Sequence, residues 1–416
     1  MSDKVTGLNA VWYVGIDWAS EEHAVHVIDV NGRHGKAFMI KHSSEGFDQL
    51  ITRLTRLGPP ASTPVAIERP DGRLVDMLLE AGHPVVPVSP NAIKAWRDGE
   101  VVSGAKSDAG DAETIAEFLR MRQHKLRVLT PFSEATRGLR AVSRARDALV
   151  DQRVTANNQL EACLHAFWPG ANEIFADICS DIALKFLERY PTPTSAVRLT
   201  EAQLAKFLTR HSYTGRRTPS ELLERLRSVP DGITLGAENQ ARQATVVAYI
   251  AVIRALNTAI KQLAKEIGAQ LGEHPDGQIF TSLPRSGSIN AAQMLSEWGD
   301  CREAYDTPEA VCALAGLTPV TKHSGKHHAV KFRWACNTRF RNAVTTFADN
   351  SRHGSPWAAD IYQRAKDRGC DHPHAIRILA RAWVRVIWRC WINGAVYDPA
   401  LHTAAANITA ALTKAA

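Results

Sequence analysis

The 416-residue chain contains no Cys-x-x-Cys pair, and its seven cysteines (163, 179, 301, 312, 336, 370 and 390) are odd in number. A zinc ribbon and a disulfide framework are therefore not expected, and a reducing compartment is. No apolar signal region follows Met1-Ser2-Asp3-Lys4. The most apolar late stretch, 376–392, is broken by Arg377, Arg381, Arg385 and Arg389, which a bilayer core penalises. The reading is a soluble, cytoplasmic protein with no membrane partner. Glycine (26) and proline (20) sit near average usage, which excludes a collagenous or low-complexity chain. A hydrophobic fraction of 45% excludes broad disorder.

What is present is an uneven charge. Overall the chain carries +7, but residues 1–120 hold 12 basic and 17 acidic side chains. Residues 121–276 hold 21 and 16, and residues 277–416 hold 17 and 10. An acidic front and a basic rear suggest cations held in one place and anions in another.

Residues 11–17, 23–30 and 36–41 are β-branched and aromatic runs joined by turn residues, and predict an antiparallel meander. Phe47, Leu50, Ile51 and Leu54 then predict a helix over 44–57. Strand patterns at 64–68 and 84–88 alternate with helical ones at 74–81, 91–97 and 111–120, giving a mixed sheet with helices on its faces. Residues 133–166 and 236–272 carry apolar residues at three- and four-residue steps, the pattern of long amphipathic helices, coiled-coil-like and paired antiparallel. Pro169, Pro191, Pro193, Pro219 and Pro230 mark 167–235 as an insertion of short helices and loops. From 278 a turn opens onto a helix at 291–298, a second helix covers 307–315, a polar loop follows, and two or three helices run to about 395. The expected domains are 8–125, 126–277 with its insertion, 278–400, and a fraying tail at 401–416.

Four acids stand at element ends: Asp17 after the first strand, Glu68 after the strand at 64–68, and Asp108 and Asp111 three apart at a helix start. Asp108 and Asp111 by themselves are ordinary helix-start acids. Asp17, ending a buried strand, needs a partner. Carboxylates crowded at one end of a sheet repel, and a hard divalent cation is the usual remedy.

Tyr13-Val14-Gly15-Ile16-Asp17-Trp18-Ala19-Ser20, Ala66-Ile67-Glu68 and Lys106-Ser107-Asp108-Ala109-Gly110-Asp111-Ala112 resemble the amino-terminal domain of bacterial insertion-sequence transposases that pair a RuvC-like acidic tetrad with a carboxy-terminal serine domain, the bridge-RNA-guided recombinases. The resemblance implies an RNase H-like (RuvC-like) fold, and Mg2+ (or Mn2+ in its place) bound by Asp17, Glu68, Asp108 and Asp111. The second half of the resemblance is Ala315-Gly316-Leu317-Thr318-Pro319, a short spacer, and Ser324-Gly325. By position it implies Ser324 as the nucleophile. Leu283-Pro284-Arg285-Ser286-Gly287 is similar to the family's helix-hairpin-helix-like turn, with Arg285 in place of its first glycine.

Lys322, His323, Lys326, Lys331 and Arg333 flank Ser324 and can contact phosphates, as can His327 and His328. Without cysteine or carboxylate company the histidines read as phosphate contacts rather than a metal site. Arg377, Arg381, Arg385 and Arg389, four apart, form a basic helix stripe that can track a nucleic-acid backbone, with Ile378 and Ile387 facing elsewhere, while the neighbouring tryptophans read as core. The expected function is site-specific DNA recombination through a phosphoserine link. The resemblance also implies donor and target DNA, a structured guide RNA, and a homo-oligomer (dimer or tetramer) whose composite sites join one subunit's acids to another's serine. Three alternatives stay open. A metal-dependent nuclease or junction resolvase would use the acids alone, a non-catalytic nucleic-acid-binding protein would use none of them, and an actin-like phosphotransferase would need a second glycine-rich loop that is not found.

Overall fold

In the computed structural model, residues 9–100, 107–233, 236–324 and 327–401 are described. Gly325, Lys326 and the tail from 402 lie outside them. The chain forms two compact units, Met1–Pro131 and Phe132–Ala416.

In the first unit, β1 (Trp12–Asp17), β2 (Glu22–Asp29) and β3 (Phe38–Lys41) form the expected antiparallel meander. β4 (Val65–Ile67) then joins β1 in parallel, and β5 (Val85–Pro87) joins β4. The order β3-β2-β1-β4-β5 makes a five-stranded mixed sheet, consistent with the RNase H-like expectation. Side-chain alternation sorts its two faces. Val14, Ile16, Val25 and Val27 pack under α1 (Ser44–Thr55) and α2 (Arg73–Glu80). Tyr13, Ala66 and Val86 pack under α3 (Pro90–Glu100) and α4 (Asp108–Arg122), with Ile93, Ile115 and Leu119. Ser107 caps α4 by accepting from Gly110 N at 3.2 Å, so the helix begins three residues before the 111–120 read from periodicity.

Fully buried His23 pins the turn that follows Asp17. Its Nδ1 accepts from Ala19 N at 3.2 Å, and its Nε2 lies 2.9 Å from His42 Nδ1. Burial, with His42 beside it, pushes the His23 imidazole down to about 4 from 6.5.

The second unit is built on α5 (Glu134–Phe167) and α9 (Gly236–Glu273), close to the two long helices expected. They run antiparallel: Thr136 Oγ1 meets His274 Nε2 at 2.8 Å, while further along Arg153 Nη1 donates to Asn257 Oδ1 at 3.2 Å. Each end of the pair carries its own core. At one end the insertion, with α6 (Asp181–Arg189), α7 (Glu201–Arg210) and α8 (Pro219–Arg227), packs Phe186, Phe207 and Leu222 against Leu160, Leu164, Val246 and Ile250. At the other end Leu139, Ile267 and Leu271 join Trp298, Phe340, Phe347, Trp383 and Trp391. Helix α9 is long and apolar enough by composition to span a bilayer, but its stripe of Val246, Ile250, Ile253, Ile267 and Leu271 is packed into these two cores.

The C-terminal helices are α10 (Ser288–Trp298), α11 (Pro308–Leu314), α12 (Thr338–Ser351), α13 (Pro356–Asp367) and α14 (His372–Asn393). One expectation is corrected. The polar loop after α11 is a two-stranded antiparallel hairpin, β6 (Val320–Ser324) and β7 (His327–Lys331). Thr321, His323, Ser324 and His328 put polar groups on both faces, so the hairpin lacks the apolar alternation by which a half-buried strand is read. Ahead of α10, Arg285 takes φ +57° in the turn where glycine is more usual.

Buried Glu297 on α10 locks this region to α5. It accepts from Arg144 Nε at 2.7 Å, Arg140 Nη2 at 3.2 Å and Asn337 Nδ2 at 2.8 Å, and Asn337 in turn caps α12. Burial alone would raise the Glu297 carboxyl, but the Arg144 and Asn337 bonds and the two guanidinium charges hold it below its ordinary value.

Glu297→Ala should lower stability by about 2–3 kcal/mol in denaturant titration, and the Glu297 contribution in wild type should be lost as pH falls through the lowered native value. The His23 imidazole is also depressed, so its contribution is present above 6.5 and lost as pH falls toward 4. Melting temperature followed between those values should fall in wild type and fall less steeply in His23→Phe.

Candidate active site

The front of the site follows from a glycine. A Cβ on Gly15 would lie 2.2 Å from Ala112 O and 2.4 Å from Ala116 N. Only glycine lets α4 rest on β1 this closely. Asp17 shares Gly15's face of the sheet, two residues on, so it points to the side covered by α4. The parallel register pairs Ile16 with Ile67, which sets Asp17 and Glu68 side by side at the carboxyl ends of adjacent strands. Glu68 follows β4 directly and is half-buried. Asp111 and the exposed Asp108 stand in the first turn of α4. The strand ends with Asp17 and Glu68 and the α4 turn with Asp108 and Asp111 thus lie toward one end of the sheet.

Asp111 is engaged by Arg97 of α3, Nη1 to Oδ1 2.5 Å, with both side chains mostly covered. A cation thus already stands against this acid. Arg69, beside Glu68, lies over the Trp18 ring at 4.4 Å and donates to Asp71 at 2.9 Å. Among the described residues, the ligand atoms that converge within 4.8 Å belong to His26, His34 and Glu113, not to the acidic quartet. The quartet's donors are all hard carboxylate oxygens, the set that suits Mg2+, and the guanidinium at Asp111 shows that this end of the sheet accommodates positive charge.

In the second unit, Ser324 ends β6, exposed, in register with His327. His323 and His328 face each other across the hairpin, ring centroids 5.7 Å apart. Lys326 lies outside the described residues. The hairpin is anchored at its base. Arg333 Nε donates to Thr318 O at 3.0 Å, and Arg341 donates to Arg333 O. Gly316, at φ +64°, lies where a Cβ would strike the Arg341 guanidinium and Cys336 Sγ. The Ala-Gly-Leu-x-Pro motif is thus the seat of this anchor.

Lys331, Arg333, Arg377 and Arg381 line one groove of about 360 Å3, with Pro319 and Val330. Four of the expected phosphate contacts are thereby gathered. Arg385 is not among them: it is exposed and paired with Glu309 at 3.0 Å. Ile378, expected to face away from the arginines, lines the same groove. Trp383 and Trp391 are fully buried, as expected of core. Sequence reasoning missed Arg97, whose role no local pattern signals. It also missed Trp334, which is 80% exposed beside Phe332, a ring that lies under Arg341 at 4.5 Å and Arg377 at 5.2 Å. The alternation Phe332-Arg333-Trp334 was a readable signal for an exposed aromatic–basic surface.

Residues 14–169 match a transposase profile of the IS110 DEDD type, and residues 277–363 match the profile described as the transposase IS116/IS110/IS902 family. The chain is 32% identical over 387 residues to the "Mini-circle putative transposase for IS117" of Streptomyces coelicolor, covering 91% of this chain and 93% of that protein. It is 27% identical over 401 residues to the insertion element IS900 uncharacterized 42 kDa protein of Mycobacterium paratuberculosis, covering 95% and 99%. A shorter match, 30% over 159 residues, joins it to the transposase for insertion sequence element IS1328 of Yersinia enterocolitica, covering 38% and 43%. A profile at each end of the chain, and a relative matched along nearly its whole length, show that the chain belongs to the IS110/IS116 family of transposases.

Proposed function

We propose that this transposase cleaves and rejoins DNA through a serine–phosphate link, with Asp17, Glu68, Asp108 and Asp111 as the metal ligands and Ser324 as the nucleophile. The observation that carries it is the placement of Asp17 and Glu68 at neighbouring strand ends beneath the α4 turn that bears Asp108 and Asp111. Mg2+ at such a quartet supplies Lewis-acid stabilisation of phosphate charge and eases deprotonation of a nearby hydroxyl.

The chain's own groups do the rest. The Ser324 Oγ–phosphorus bond forms as the bond from phosphorus to the leaving strand oxygen breaks; the hydroxyl gives up its proton and the departing oxygen gains one. A strand hydroxyl attacking the phosphoserine reverses these steps and reseals the DNA. Lys331, Arg333, Arg377 and Arg381 hold strand phosphates in their groove. In the fuller reading a structured guide RNA selects the DNAs, and acids and serine from different subunits of a dimer or tetramer meet at one phosphate. The basic rear of the chain supports binding of a polyanion.

With Mg2+ and donor DNA, wild type should form a covalent protein–DNA adduct seen by denaturing gel. Ser324→Ala should form none while still binding DNA. Asp17→Asn should lose cleavage by at least about 100-fold, the scale expected when charge stabilisation at the reacting group is removed. Adduct formation by Ser324→Ala equal to wild type would sink the serine, and cleavage without any adduct would favour the nuclease reading. Arg377→Ala and Arg381→Ala should each weaken binding to all DNA sequences alike and lower the salt slope of log K by about 1, measured by fluorescence anisotropy across salt concentrations.

A further inference from the structure

Away from the acidic quartet, the first unit holds a second convergence of metal-ligand atoms. His26 on β2, His34 just beyond it and Glu113 on α4 place one nitrogen or oxygen each within 4.8 Å of the others. His26 Nε2 lies 3.2 Å from His34 Nδ1, and His34 Nδ1 lies 3.1 Å from Glu113 Oε1. His26 is 6% exposed, whereas the His34 and Glu113 side chains are 43% and 49% exposed. The cluster is thus anchored in the core and open to solvent.

The packing that builds α4 onto the sheet also builds this cluster. His26 is the register partner of Gly15, so it shares the face on which α4 sits. Gly15 admits the helix at Ala112, and the next residue, Glu113, is delivered beside His26. An isolated bridge between Ile28 and His34 folds the chain after β2 back along it, and brings His34 in as the third member.

Hydrogen bonding alone satisfies these contacts poorly. His34 Nδ1 faces two acceptor-capable atoms and can carry only one hydrogen. If Nδ1 is bare and accepts from His26, its lone pair confronts a carboxylate. If it is protonated and donates to Glu113, that same hydrogen must also serve His26 Nε2. A cation satisfies all three lone pairs at once. The separations of 3.1 and 3.2 Å approach the edge of about 3.3 Å that a tetrahedron with bonds of about 2.0–2.1 Å requires.

We propose that His26, His34 and Glu113 bind a divalent transition metal ion of the zinc class, with a solvent-facing position left for water. Two imidazoles and one carboxylate select zinc-class ions over Mg2+, which prefers all-oxygen ligands. Glu113 lies two residues, about 200° around the helix, from Asp111. The ion therefore sits on the flank of α4 rather than among the four acids. There it clips β2 and the segment after it to the helix whose first turn carries Asp108 and Asp111. The site is independent of the recombination mechanism proposed above.

The test uses the full chain, stripped with a chelator, with Zn2+, Co2+ or Mg2+ added alone. Wild type should gain on the order of 5 °C in melting temperature with Zn2+ at about a hundred times its dissociation constant, and should develop the strong visible absorption of tetrahedral Co2+. His34→Asn and Glu113→Gln, both at exposed positions and so expected to fold, should each weaken Zn2+ binding by at least about 10-fold, and the double variant should lose both signals. An equal shift with Mg2+, a Zn2+ shift that persists in the double variant, or Co2+ that gives no tetrahedral spectrum would each overturn the site.

Discussion

The close approach of α4 to β1 over Gly15 is the constraint on which the first unit's chemistry depends. With any side chain at position 15, the helix would have to lift from the sheet by more than an ångström, because a Cβ there lies 2.2 Å from Ala112 O. The helix's first turn would then leave the strand ends where Asp17 and Glu68 stand. One missing side chain thus sets how the first turn of α4, which carries Asp108 and Asp111, lies against the sheet. It also brings Glu113 to His26. The negative charge gathered in this way is costly without compensation, and Arg97 against Asp111 supplies part of it.

The second unit meets a different constraint, holding an exposed polar hairpin on a packed helical base. The hairpin has polar side chains on both faces and little core of its own, so its position comes from its roots. Arg341 and Arg333 bind backbone carbonyls at the stem, Gly316 leaves room for the Arg341 guanidinium, and Asn337 ties the start of α12 to buried Glu297. Glu297 in turn is gripped by Arg140 and Arg144 of α5. Cationic side chains therefore divide their labour. Arg140, Arg144 and Arg341 are spent inside the fold, whereas Lys331, Arg377 and Arg381 face an open groove. That division explains why a count of basic residues overstates the surface open to nucleic acid, and why Arg385, paired with Glu309, falls outside the groove.

The sequence alone determined the elements whose burial is periodic. The meander, the α1 stripe of Phe47, Leu50 and Leu54, and the two long helices were legible because water exclusion imposes a repeat of two or 3.6 residues on the chain. Element ends carrying Asp17, Glu68, Asp108 and Asp111 were legible for the same reason, since an acid closing an apolar run is a local event. Tertiary structure alone decided the rest. The β6–β7 hairpin has no apolar period to betray it, and Arg97 meets Asp111 from another helix. His26, His34 and Glu113 are scattered over 88 positions of the chain and become neighbours only because strand register and a glycine-sized gap place them so. Periodicity is written residue by residue, whereas charge pairing and ligand convergence depend on distances between segments, which exist only once the sheet and its helices have packed.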